Sequence, residues 1–189
     1  PSNLALCVGK DIVYVEIKDL SSSKSLIVSE HYARELLEED GNFELISKLK
    51  GSDLVGKKYL PIFDFFKDHE HFGGFCILED DYVTPDNGTG IVHQAPAFGE
   101  DDYRIFQKAE ISAPPVCPID MSGKFTSAVK DFVGIYVKDA DKDIAKAIRE
   151  KGLLFKQEVI QHNYPFCPRS NSPIISVSYT HLRAHETVV

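Results

Sequence analysis

The segment Gly88-Thr89-Gly90-Ile91-Val92-His93-Gln94-Ala95-Pro96-Ala97-Phe98-Gly99-Glu100-Asp101-Asp102-Tyr103 constrains this chain more than any other. Glycine is placed where φ must be positive or where another group approaches the main chain, so Gly88 and Gly90 around Thr89 mark a tight turn. Ile91 and Val92 favour a short strand, and Pro96, which cannot donate to a ladder, ends it. His93 therefore lies near a strand's end. After Gly99, the run Glu100-Asp101-Asp102 precedes Tyr103, Ile105, Phe106 and Ala109, the spacing of a helix with one apolar face and acids in its first turn. The acids complement the helix dipole, and His93 near a strand end can be purely structural. The concentration of glycines, imidazole and carboxylates argues instead for a site.

The rest of the chain surrounds that segment with short elements. Val13, Val15 and Ile17 alternate with polar neighbours, the period of a half-buried strand. Leu26-Ile27-Val28 continues extended after a serine turn. A helix is expected over His31 to Glu39, with Ser29 as N-cap and Gly41 as stop. Strands are expected at Phe43 to Leu49, Lys58 to Leu60, Phe75 to Val83 and Phe155 to His162, and a helix at Asp141 to Lys151, closed by Gly152. Pro114, Pro115 and Pro118 make the stretch from Ile111 to Asp120 a surface loop. With no internal repeat and no interior linker, many strands and few helices predict one α+β domain.

Composition narrows the function classes. At 189 residues and 43% hydrophobic content the chain is long enough for one real core. Cys7, Cys76, Cys117 and Cys167 form no C-x-x-C, which argues against zinc and against a disulfide framework. No apolar run approaches the ~18 residues of a membrane span, and no signal-like start is present, so the expectation is a soluble, cytoplasmic protein. A net charge of −8 argues against a general nucleic-acid binder. The small basic groups Lys48-Leu49-Lys50 and Lys57-Lys58 are read as a solvated face.

His93, Ala95-Pro96, Gly99 and Asp101-Asp102-Tyr103, following Gly88-Thr89-Gly90, resemble the editing (CP1) domain inserted into class I aminoacyl-tRNA synthetases for branched aliphatic amino acids. Histidine at 93, where sister enzymes typically carry lysine or methionine, makes the likeness that of the isoleucyl type, and the wording of the whole match resembles the eukaryotic, cytosolic or archaeal form rather than the bacterial one. Pro1-Ser2-Asn3-Leu4-Ala5-Leu6 resembles the end of the family's threonine-rich signature, and Tyr164-Pro165-Phe166-Cys167-Pro168-Arg169-Ser170 the segment returning to the catalytic domain. The resemblance covers residues 1–175 and implies a β-barrel-like core with peripheral helices. Residues 176–189 depart from it and are read as a non-native tail. His181 and His185 in that tail, with Glu186 nearby, are not read as a metal site, because no third ligand is evident.

What the resemblance implies for function is hydrolysis of the ester in valyl-tRNA(Ile), with isoleucine excluded. The implied partners are the tRNA acceptor end and the catalytic core of the parent synthetase, with neither DNA nor membrane involved. Editing itself is expected to need no metal or other cofactor; ATP and Mg belong to the parent. Asp102 is implied as the carboxylate that holds the substrate's α-ammonium. His93 bounds the side-chain pocket, with a general-base role ranked second. Thr89, Gly88 and Gly90 are placed on the adenosine side, and Asn3 beside the terminal ribose. The family's threonines would precede Pro1, which leaves weak or absent turnover by this stretch open. Two alternatives stay in view: a catalytically silent insert, and a metal-assisted hydrolase using His93, Asp101 and Asp102.

Overall fold

A computed structural model describes residues 1–157, 166–169, 173–175 and 177. Strand β1 (Ala5–Val8) is central in the first sheet, parallel to β5 (Cys76–Glu79) and antiparallel to β6 (Ile91–Gln94). Leu4, Ala5, Cys7 and Val8 are all buried, the near-continuous apolar run of a strand covered on both faces. Such a run has no alternation, which is why periodicity passes over it.

The second sheet, ordered β3-β2-β4, is an antiparallel set of β2 (Val13–Asp19), β3 (Ser25–Ser29) and β4 (Phe43–Lys50). Val15 and Ile17 point inward under helix α1 (Glu30–Asp40), whose Ala33 and Leu36 complete that cluster. Ser29 caps α1 by accepting from the Tyr32 N–H at 3.2 Å, and Gly41 closes it in the left-handed conformation, both as expected. Between Glu16 and Ile17 the register against β4 slips by one residue, so that Ile46 is the extra residue of a β-bulge.

The two sheets share a core. Val8, Tyr14 and Leu54 pack with Ile12, Leu49, Ile77 and Ile91, drawing on both sheets. The Tyr14 hydroxyl accepts from the Gly9 N–H at 3.1 Å and donates to the Gly90 carbonyl at 2.7 Å. Helix α2 (Glu100–Lys108) covers the first sheet through Ile105 and Phe106. Helix α3 (Asp141–Glu150) lays Ile144 and Ala147 on a separate aromatic cluster built from Phe63, Phe65, Phe66, Phe125 and Phe132. The architecture is α+β.

Several boundaries differ from expectation. Lys58–Leu60 makes only a bridge from Lys58 to Cys76; Pro61 follows, and Leu60 is 85% exposed. The strand expected over Phe75–Val83 stops at Glu79, where Asp80 turns in to meet a cation. Asp64–Phe72 winds as 3-10 helix, broken at Phe66, where no element was expected. The proline-rich stretch is irregular but not superficial, since Ala113 and Val116 are buried and Pro118 is among the most deeply buried side chains. Residues 155–157 form no strand; the rest of that expected strand and all of 176–189 except Val177 lie outside the described residues.

Candidate functional site

The three acids at the start of α2 separate by partner. Glu100 is exposed. Asp101 accepts from Arg104 at 3.1 Å, and Arg104 also grips the buried Asp80 bidentately, with both bonds at 3.0 Å. Lys108 adds a second cation 3.6 Å from Asp80. The hydrogen bonds from Arg104 hold the Asp80 carboxyl below its ordinary range, against the opposing cost of burial. That network fastens α2 to the end of β5 and occupies Asp101 structurally.

Asp102 turns the other way. Its Oδ2 accepts the Ala95 N–H at 2.8 Å, so the carboxylate folds back onto the residue just past β6. Gly99 makes this possible, because a Cβ there would lie 2.6 Å from Asp102 Oδ2. Oδ1 makes no hydrogen bond among the described residues. Half-buried, with one oxygen tethered, Asp102 is an oriented anion with acceptor capacity to spare.

His93 is the penultimate residue of β6, and its ring reaches solvent. Surrounding protein nonetheless lowers its pKa by desolvation, while the Asp102 carboxylate opposes the shift. The imidazole is accordingly neutral at pH 7. The structure thus brings His93 and Asp102 to one end of β6. Past Ala95 opens a cavity of about 520 Å³, lined by Ser2, Ala95, Phe98, Phe125, Lys138 and Ile144 among others; neither His93 nor Asp102 is among its lining residues.

Asn3 lies at the same end, with its side chain engaged. Its Nδ2 donates to the Ala5 carbonyl at 2.7 Å and, at 3.5 Å, to that of Gln94, while Oδ1 accepts from the Tyr59 hydroxyl at 2.5 Å. Gly88, Thr89 and Gly90 sit at the opposite end of β6, roughly 10 Å away at about 3.4 Å per residue. The Thr89 carbonyl accepts the Ser29 N–H at 2.8 Å. Gly90, at φ +71°, leaves no room for a Cβ, which would stand 2.7 Å from Ser29 Cβ. The segment read as one motif therefore builds two places. Of the basic groups, Lys48 pairs with Glu30 at 2.7 Å, and Lys58 donates to the Gly74 carbonyl at 3.1 Å.

Sequence reasoning missed Tyr82, Gln94, Arg104 and Asp80. The one available signal was alternation: with His93 facing out, the next residue of the strand faces in.

No family model matches the chain. It is 46% identical over 178 residues to the cytoplasmic isoleucine–tRNA ligase of Mus musculus, a match covering 93% of this chain and 14% of that protein. The cytoplasmic isoleucine–tRNA ligase of Saccharomyces cerevisiae is 47% identical over 180 residues, covering 93% and 17%. That of Bdellovibrio bacteriovorus is 46% identical over 176 residues, covering 93% and 16%. The chain belongs to the isoleucine–tRNA ligase family. It spans about one-seventh to one-sixth of the length of these ligases. The solved structure titled "The crystal structure of GlLeuRS-CP1" superimposes with a TM-score of 0.63 at 19% identity, covering 84% of this chain and 79% of that one. The fold is therefore that of the CP1 insert, as the motif led one to expect. No helix among the described residues is long and apolar enough to cross a membrane.

Proposed function

We propose that this segment of the ligase hydrolyses the ester of valine wrongly attached to tRNA(Ile) and excludes isoleucine. The supporting observation is the Asp102 carboxylate, held by the Ala95 N–H on one oxygen and set beside a neutral imidazole. An aminoacyl ester differs from an ordinary ester by its α-ammonium, and an oriented carboxylate is the natural partner for it. On this reading a neutral His93 bounds the space for the substrate's side chain without repelling that cation. Water adds to the ester carbonyl, the bond to the ribose oxygen breaks, and that oxygen takes a proton as valine leaves. The ester is already activated, so positioning supplies most of what the step needs.

The need for such a site is quantitative. One methylene is worth about 1–3 kcal/mol, or roughly 10–200-fold, in an apolar pocket, a limit for which isoleucyl-tRNA synthetases are themselves the standard illustration. A second pocket that admits valine and rejects isoleucine multiplies the two discriminations. On this reading the partners are the tRNA(Ile) acceptor end and the remainder of the synthetase, the setting is the cytoplasm, and hydrolysis draws on no cofactor.

The test is an NMR titration of this chain with non-hydrolysable valyl- and isoleucyl-adenosine analogues. Shifts at His93 and Asp102 with the valyl analogue alone, abolished in Asp102→Ala, are expected. Equal response to both analogues, or to neither, defeats the reading for this chain.

A further inference from the structure

The Gln94 side chain is fully buried on the core side of β6, in register with Ala5. One end of its amide donates from Nε2 to the Tyr82 hydroxyl at 2.7 Å. The other end, Oε1, is buried without a hydrogen-bond partner among the described residues. Turning the amide over exchanges which end is orphaned and supplies no new partner. A buried amide end left unpaired costs free energy that an apolar side chain of the same shape does not. At a plain core position this pair therefore subtracts from stability.

Its surroundings give it a use. The Gln94 carbonyl accepts the Leu4 N–H at 3.0 Å, and the very next residue, Ala95, gives its N–H to Asp102. The Tyr82 hydroxyl stands close enough to the same carboxylates that Asp102 and Asp101, after desolvation and Cys7, help to push its pKa up to about 12. Main chain and side chain of Gln94 thus pin the peptide plane that carries the Ala95 N–H.

We propose that the buried Gln94–Tyr82 pair is a positioning device for the Asp102 carboxylate, fixing the end of β6 at a cost in stability so that the Ala95 N–H meets Asp102. The proposal rests on Asp102 as the ammonium anchor, but its first readout needs no substrate. Displacing a reacting group by on the order of 1 Å can cost about 10²-fold, so a device of this kind has a large return.

The test is the double variant Gln94→Leu/Tyr82→Phe, which replaces both partners by apolar shapes, with Tyr82→Phe alone beside it. Three quantities are read on this chain: Tm, the His93 titration midpoint by NMR, and affinity for the non-hydrolysable valyl-adenosine analogue. The double variant is expected to melt at or above the parent and to bind the analogue about 10- to 100-fold more weakly. Its His93 midpoint should drop toward that of Asp102→Asn, because the Asp102 carboxylate is what raises it. Tyr82→Phe should move His93 in the same direction and by less. An unmoved His93 midpoint overturns the proposal, and so does a double variant that melts well below the parent, since the pair is then holding the fold. A parent chain blind to both analogues defeats the editing reading, yet a His93 shift in the variants still supports the positioning role.

Discussion

The two ends of strand β6 are built to different rules. At the Gly90 end, polar main-chain groups are spent on neighbours: Tyr14 donates to Gly90, Ser29 donates to Thr89, and no space remains above Gly90 for a side chain. At the Gln94 end, polar groups are left with spare capacity, in Asp102 Oδ1 and in one end of the Gln94 amide. The first is packing chemistry and the second carries the binding proposed above, although a single stretch of sequence encodes both. Hydrogen bonds already made hold a strand in place, whereas unspent capacity beside an oriented charge is what a polar ligand can use.

The largest effect that would sharpen this contrast comes from Gly90→Ala set against Gly88→Ala. Gly90 combines φ +71° with a blocked Cβ position, whereas Gly88, at φ +57°, faces open space. Gly90→Ala should cost about 2–4 kcal/mol, overpacking added to left-handed strain, and Gly88→Ala about 1–2 kcal/mol from strain alone. Urea unfolding measures both, and equal losses would dissolve the packing role given to Gly90.

A smaller effect tests whether the acids of α2 divide as described. The Asp80 carboxyl titrates below the ordinary aspartate range in the folded chain, mainly through its hydrogen bonds from Arg104. Its folded value lies under its unfolded one, so its contribution is complete above about pH 4 and is lost as the pH falls through the folded value. Asp80→Asn should lower stability at neutral pH and flatten the acid limb of the stability curve, read by Tm between about pH 5 and pH 2. An acid limb as steep as the parent's would remove Asp80 from the clamp.

Smallest in stability, but closest to the site, is Asp102→Asn. The amide oxygen can still accept from Ala95, so the fold should lose only about 1 kcal/mol. The His93 midpoint, already below the ordinary value, should fall further, because the negative charge that opposes its lowering is gone. A midpoint that rises in the NMR titration would separate His93 from Asp102 and break the site apart.

Much of this fold was legible. Val13, Val15 and Ile17 announced β2 by alternation, and Ser29 and Gly41 announced both ends of α1. Strand β1 was not, because burial on both faces erases the alternating signal. The broken 3-10 segment at Asp64–Phe72 follows no helical period that a pattern can match. At the site, the residues of the familiar motif were found, but not their division between two ends of a strand. Asn3 was visible as a residue, whereas its bonds to Tyr59 and to the Ala5 and Gln94 carbonyls depend on long-range contacts. Tyr82 and Gln94 carried no signal beyond a strand's inward turn, since a hydrogen bond across 12 positions leaves no local pattern.

The Tyr14 hydroxyl, receiving from Gly9 and giving to Gly90, acts as a rivet through β1, β2 and β6. Sliding one sheet over the other requires shearing that rivet. The Ala95 end has a fastening of its own in the Asp102 carboxylate, so each end of β6 is tied by a side chain from outside its own sheet and the strand's register is held from both ends.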